Sequence, residues 1–239
     1  MKRALVTGGS GVIGAAICRR LAASGHHVYV HAHRRLDHAK DVAAAIVAAG
    51  GSADAVAFDV ADRERTAHEL AGLLAAGTVQ ILVNNAGGND DAPLAGMRPD
   101  QWTRVIDVVL HGFFNVTQPL LMPMILSRWG RIVNIASAAA IAGNRGQANY
   151  AAAKAGVIAA GRSLSQEIAR KGVTVNAVAP GIIDTPMAAA AFDAQRIREL
   201  VPMRRAGTAD EVAELVDFLA SDRAAYISGQ VLSINGGMC

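Results

Sequence analysis

A chain of 239 residues, 52% hydrophobic and 18% charged, has the material for a large core and the length of one α/β domain or two small ones. Aromatic residues are only 4%, and the net charge of +3 comes from scattered basic residues, which argues against a nucleic-acid surface. Two cysteines, Cys18 and Cys239, fit neither a disulfide framework nor a metal site, so a reducing, intracellular setting without a metal is expected. The opening MKRALVTGGSG has no long apolar stretch before its glycines, and no run of eighteen apolar residues is uninterrupted. Neither a signal peptide nor a membrane span is expected, and the expected location is cytoplasmic.

Ala4 to Val6 read as a short strand. TGGSGVIG follows, then an amphipathic helix with apolar positions Val12, Ile13, Ala16, Ile17 and Leu21, closed by Gly25. Strand, glycine-rich turn and helix together make a dinucleotide site: glycines let the backbone approach a pyrophosphate, and the helix N-terminus offers free N–H groups and a positive dipole end. Thr7, Gly8, Gly9, Ser10, Gly11, Ile13 and Gly14 are the candidate contacts. The second strand, Val28 to His31, runs into AHRRLDHAK. A site for NAD usually places an acid here for the ribose 2′-hydroxyl, whereas one for NADP uses arginine for the 2′-phosphate. No acid occurs until Asp37, so NADP(H) is expected, with Arg34 the first choice for the phosphate and Arg35 or His33 the second.

A helical pattern from Leu36 to Ala49 leads to a third strand, Ala53 to Phe58, followed by Asp59 and Val60. A polar helix, Asp62 to Leu74, precedes strand four, VQILVNN, from which Asn84, Asn85, Ala86 and Gly87 emerge. Pro99 to Leu126 read as one long helix that Pro119 and Pro123 kink or close. Strand five leads to Ser137, and a helix runs from Tyr150 to Arg170 with small residues all round, one face for the sheet and the other for a second subunit. Strand six, VTVNAVA, ends at Pro180-Gly181-Ile182-Ile183-Asp184-Thr185. Residues 186–205 are irregular and long enough for a lid, with a plain surface helix as the alternative for their middle. Thr208 and Glu211 form a capping box for a helix to Leu219, and QVLSI is the last strand. Strands alternating with helices at this spacing predict a parallel, doubly wound α/β sheet, one domain over residues 1–239.

The chemistry concentrates between Ser137 and Lys154. Tyr150 and Lys154 are four apart on a helix and so share a face, while Ser137 follows the buried strand RIVNIA at its carboxyl end. A phenol with a pKa near 10 is a poor base at neutral pH, and a neighbouring ammonium lowers it. Tyr150 then serves as general acid or base, with Ser137 donating to the same substrate oxygen. On its own, Y-x-x-x-K is common and reads as an ordinary surface pair.

TGGSGVIG, Asp59, NNAG at 84–87, Ser137 with YxxxK at 150–154, PGIIDT at 180–185 and the ending ISGQVLSINGG, taken in order, resemble the short-chain dehydrogenase/reductase family, single-domain branch. Within it, GNRGQANYAAAKAG and VNAVAPGIIDTPM resemble the β-ketoacyl-acyl-carrier-protein reductases. The resemblance implies a Rossmann-type fold with a seven-stranded parallel sheet, hydride transfer from NAD(P)H and a homotetramer. It also implies roles: Tyr150 as acid/base, Ser137 polarising the carbonyl, and Lys154 lowering the tyrosine pKa and binding the nicotinamide ribose. Gly8 and Gly14 would line the pyrophosphate and Asp59 and Val60 would flank the adenine. Asn85, Ala86 and Gly87 would border the nicotinamide, and Ile183 and Thr185 would hold its carboxamide and the nearby phosphate, with Pro180 and Gly181 also on the cofactor. Arg128 and Lys171 match basic residues that touch the carrier protein, and are equally ordinary surface charges.

Two positions depart from the pattern. Val12 stands where the short branch usually has glycine, with Gly11 just before it. Val109 stands where an asparagine helps hold a water next to the lysine, a change that bears on proton relay rather than on hydride transfer. The expected function is NADPH-dependent reduction of a 3-oxoacyl thioester, carried by acyl carrier protein or coenzyme A, in fatty-acid, polyketide or pigment synthesis. The alternatives are another small carbonyl compound or alcohol as substrate, and a weakly active cofactor-binding subunit of a mixed oligomer.

Overall fold

A computed structural model describes residues 1–239, apart from the side chains of Met187 and Ala190. The strands are β1 (Arg3–Val6), β2 (His27–Ala32), β3 (Ser52–Ala57), β4 (Ile81–Asn84), β5 (Gly130–Ile135), β6 (Val173–Pro180) and β7 (Val231–Ile234). They form one parallel sheet in the order β3-β2-β1-β4-β5-β6-β7. Side chains alternate across it, as the two-residue period of a strand requires. Ala4, Val6, Val28, Val30, Ile81 and Val83 enter one core layer with helices α1 (Val12–Ala23), α2 (Leu36–Ala48) and α10 (Ala209–Ala220). Leu5, Tyr29 and Leu82 enter the opposite layer with α3 (Arg63–Ala75), α5 (Gly112–Ser127) and α7 (Ala148–Ile168). A strand apolar on both faces is buried on both, which is why these segments read as continuous hydrophobic runs. Leu82 is fully buried, and Leu82→Ala should destabilise the fold by about 2–5 kcal/mol.

Caps end the helices as the sequence predicts. Thr208 Oγ1 accepts from Glu211 N–H at 3.1 Å, and Glu211 Oε2 accepts from Thr208 N–H at 2.8 Å. The expected long helix after Pro99 is present as one run, Pro99–Ser127. It contains a π-helical turn at Asp107–His111 between α4 (Pro99–Ile106) and α5, and Pro119 and Pro123, half-buried and four apart on one face, are carried inside α5. By length and composition the run Pro99–Ser127 could cross a membrane, but Val116, Leu120 and Met124 are fully buried in the core layer beside the sheet.

Candidate active site

The strand order reverses between β1 and β4, and a ligand crevice opens at the carboxyl ends of the strands beside such a switch point. The glycine turn lies there. Gly8 has φ +64°, and a Cβ at Gly14 would collide with the Gly8 carbonyl oxygen, so glycine is required at both positions. Gly11 N–H closes the turn onto Gly8 O at 3.1 Å, and Gly11 makes no side-chain cap to α1. The N–H groups of Val12, Ile13 and Gly14 therefore have no partner within their helix and are open to an anion. Thr7 and Asn85 brace the turn from below. Thr7 Oγ1 accepts from Asn85 and Ala86 N–H, both at 2.9 Å, and Asn85 Nδ2 donates to Thr7 O at 2.9 Å and Gly8 O at 3.2 Å.

At the end of β2 the polar run divides. His31 is buried, whereas His33, Arg34 and Arg35 are exposed beyond the strand. His33 Nε2 lies 3.3 Å from Asp59 Oδ2 across the ends of β2 and β3. Asn115 of α5 donates to Val60 O at 2.9 Å and fixes that residue at the rim.

The catalytic candidates meet on the other side of the crevice. Ser137 lies two residues past β5, and its Oγ accepts from Ala139 N–H at 3.2 Å. Lys154, 4% exposed, donates to Ile135 O at 2.6 Å, with Nζ 5.7 Å from the centre of the Tyr150 ring. The expectation that Lys154 lowers the tyrosine pKa is not met. Burial pushes the Tyr150 phenol up, against a smaller downward pull from Ser137 and a further push from Asp91, and burial brings Lys154 down to about 8. A phenol so placed keeps its proton at neutral pH and is suited to donate it.

The pattern of the short chain dehydrogenase family matches residues 2–196. The chain belongs to the short-chain dehydrogenases. It is 42% identical over 237 residues to a 3-oxoacyl-(acyl-carrier-protein) reductase of Aggregatibacter actinomycetemcomitans, covering 98% of each chain. It is 44% identical to the enzyme of that name in Synechocystis sp., over 98% of this chain and 96% of the relative, and 43% identical to that of Salmonella typhimurium, over 99% and 97%. This short-chain dehydrogenase is accordingly an oxidoreductase of a family that works with a nicotinamide cofactor. The open donors of the glycine turn fit the pyrophosphate of such a cofactor.

Val109 of this dehydrogenase lies within the π-helical turn and is buried against Ala153 and Val157 of α7. A Cβ placed on Gly87 would sit 3.2 Å from a Val109 methyl and 3.3 Å from Lys154 Nζ, so the valine and the lysine approach the same spot. His111, at the end of the turn, is exposed and paired with Asp107 at 2.8 Å, and takes no place beside Lys154.

Sequence reasoning missed Asn149. It is fully buried, accepts from Tyr150 N–H at 2.8 Å, and donates to Asp90 O and Gln101 O, both at 3.0 Å. It thereby holds the start of α7 to the loop after β4; its position next to the tyrosine was the only available signal. Pro180 ends β6 and Gly181 donates to Ile234 O at 3.0 Å. Ile183 pairs with Gly207, and Thr185 caps α8 (Pro186–Ala191), accepting from Ala188 N–H at 3.2 Å. The expected lid is thus two short helices, α8 and α9 (Ala194–Leu200), anchored at both bases. Arg128 and Lys171 are exposed beside the N-terminal ends of β5 and β6, where Gly130 N–H donates to Gly172 O at 3.3 Å. That edge is opposite Ser137 and Tyr150, and a strand of six residues spans about 20 Å. The two basic residues therefore do not converge on this chain's own crevice.

Proposed function

We propose that the chain reduces the ketone of a 3-oxoacyl thioester, with NADPH, to the 3-hydroxyacyl thioester, in a cytoplasmic homotetramer. The observation that carries this is the buried Ser137–Tyr150–Lys154 group, its phenol protonated, facing a glycine turn with open donors. The printed names of the relatives support the thioester. When bound, the nicotinamide supplies hydride to the carbonyl carbon. Tyr150 donates its proton to the carbonyl oxygen as charge builds there, and Ser137 hydrogen-bonds the same oxygen. Lys154, its pKa brought down to about 8 by burial, stays mostly protonated at neutral pH and so stabilises a phenolate or an anionic ligand beside it. Asp59 and Val60 form the adenine rim. Arg34, with Arg35 and His33 beside it, offers positive charge for a 2′-phosphate. Arg128 and Lys171 could meet an acidic carrier only in front of another subunit's crevice. The half-exposed outer face of α7 supports such an assembly.

The test is a panel of 3-oxoacyl thioesters on carrier protein and on coenzyme A, assayed with NADPH and NADH. Turnover of these thioesters with NADPH well above NADH is expected. Reduction of simple ketones or oxidation of alcohols, with no thioester turned over, would overturn the substrate assignment. Val109 beside Lys154 favours one second reading, a cofactor-binding partner of low activity. Cofactor binding without turnover of any carbonyl compound would favour it.

A further inference from the structure

The imidazole of His31 is absorbed by neither the proton chemistry nor the phosphate contacts, although it is the one histidine buried at the crevice. It sits on β2 on the same face as Tyr29, 1% exposed, with its ring centre 4.3 Å from that of Phe58. Gly8 N–H donates to Nδ1 at 3.0 Å, and Nε2 lies 2.9 Å from the Phe58 carbonyl. A carbonyl oxygen only accepts, and the Gly8 amide only donates. The two partners therefore fix one tautomer, neutral, with its proton on Nε2. The main-chain oxygen of His31 also accepts from Ser10 N–H at 3.4 Å. One residue thus grips the glycine turn at two points and ties it to the end of β3, one residue before Asp59.

We propose that His31 is a positioning residue for the dinucleotide: through its neutral Nε2–H tautomer it latches the Gly8 amide, and so sets the direction in which the remaining N–H groups of the turn face the pyrophosphate. The inference rests on the cofactor reading above. The Gly8 amide is consumed by the latch, so the pyrophosphate is left to Val12, Ile13 and Gly14. Burial holds the imidazole pKa down to about 4, against an upward pull from the Phe58 carbonyl, with His33 and Asp59 the other titratable groups that act on it. The latch therefore keeps its acceptor throughout the neutral range.

Two variants separate this role from simple packing. His31→Leu fills the space and removes both bonds. His31→Asn places an oxygen near the Nδ1 position and can still accept from Gly8. The measurements are the Kd of NADPH and NADH by titration of cofactor fluorescence, kcat at saturating cofactor, and the wild-type histidine tautomer by long-range proton–nitrogen NMR. His31→Leu should weaken binding of the preferred cofactor by about tenfold, the loss of one buried hydrogen bond, with kcat within about threefold and His31→Asn recovering most of the affinity. In the wild type, one imidazole should hold the Nε2–H form without titrating between about pH 5.5 and 9. A folded His31→Leu protein with unchanged Kd, a variant that loses kcat and not affinity, or an Nδ1–H tautomer would each overturn the latch. If the wild type binds neither cofactor, the cofactor reading itself has failed, and the latch with it.

Discussion

The two sides of the strand-end crevice use their polar groups in opposite ways. On the nucleotide side, the side chains of Thr7, Asn85 and His31 spend their hydrogen bonds on main-chain groups of the glycine turn and of the neighbouring strand ends, leaving main-chain N–H groups for a ligand. On the substrate side, Ser137 Oγ accepts from Ala139 N–H and Lys154 donates to one carbonyl, so the hydroxyl protons of Ser137 and Tyr150 remain free to turn toward a substrate. A cofactor held through the backbone needs that backbone fixed beforehand, whereas proton transfer needs groups that can exchange partners. The first arrangement makes a rigid cradle and the second a reactive pair.

The sharpest break in this contrast is Tyr150→Phe. It keeps the ring and removes the transferable proton, so kcat should fall by about a thousandfold or more while the cofactor Kd changes little. Steady-state rates alongside cofactor titration measure both, and near-normal turnover would remove Tyr150 from its role.

Next comes acid stability on the nucleotide side. The His31 pKa is held to about 4 in the folded chain, against an ordinary histidine value of 6.5. The unfolded chain therefore takes up a proton over that window and the folded chain does not. The stabilisation is fully present above pH 6.5 and lost as pH falls through 4, on the order of 3 kcal/mol in all. Urea midpoints across this range should fall more steeply for the wild type than for His31→Leu; parallel slopes would show that this imidazole is not responsible.

Arg34→Ala tests the exposed rim of the same side. Losing a charge-assisted hydrogen bond of about 1.5–3 kcal/mol should raise the NADPH KM roughly ten- to hundredfold and leave that for NADH nearly alone. Equal changes for both cofactors would point away from the 2′-phosphate.

The smallest effect is expected at Val109, on the substrate side. A valine cannot hydrogen-bond a water, so Val109→Asn restores a possible partner for one beside Lys154. With proton delivery not limiting, kcat should change by only about threefold and the solvent isotope effect should stay small. A weak wild-type enzyme made strongly active by the asparagine would reverse the assignment.

The parallel sheet, the glycine turn, the Thr208–Glu211 cap and the grouping of Ser137 with Tyr150 and Lys154 are legible in the amino acids alone. Each follows from local spacing: period-two apolar runs, glycine where a Cβ collides, and four residues per helical face. Other features arise only when distant segments pack together. Packing buried His31 while leaving His33 and Arg34 outside, although all three stand in one polar run. It introduced a π-helical turn at Asp107–His111 and carried Pro119 and Pro123 inside α5. It raised the Tyr150 pKa, because desolvation depends on what packs around the phenol and not on which residue lies one helical turn away.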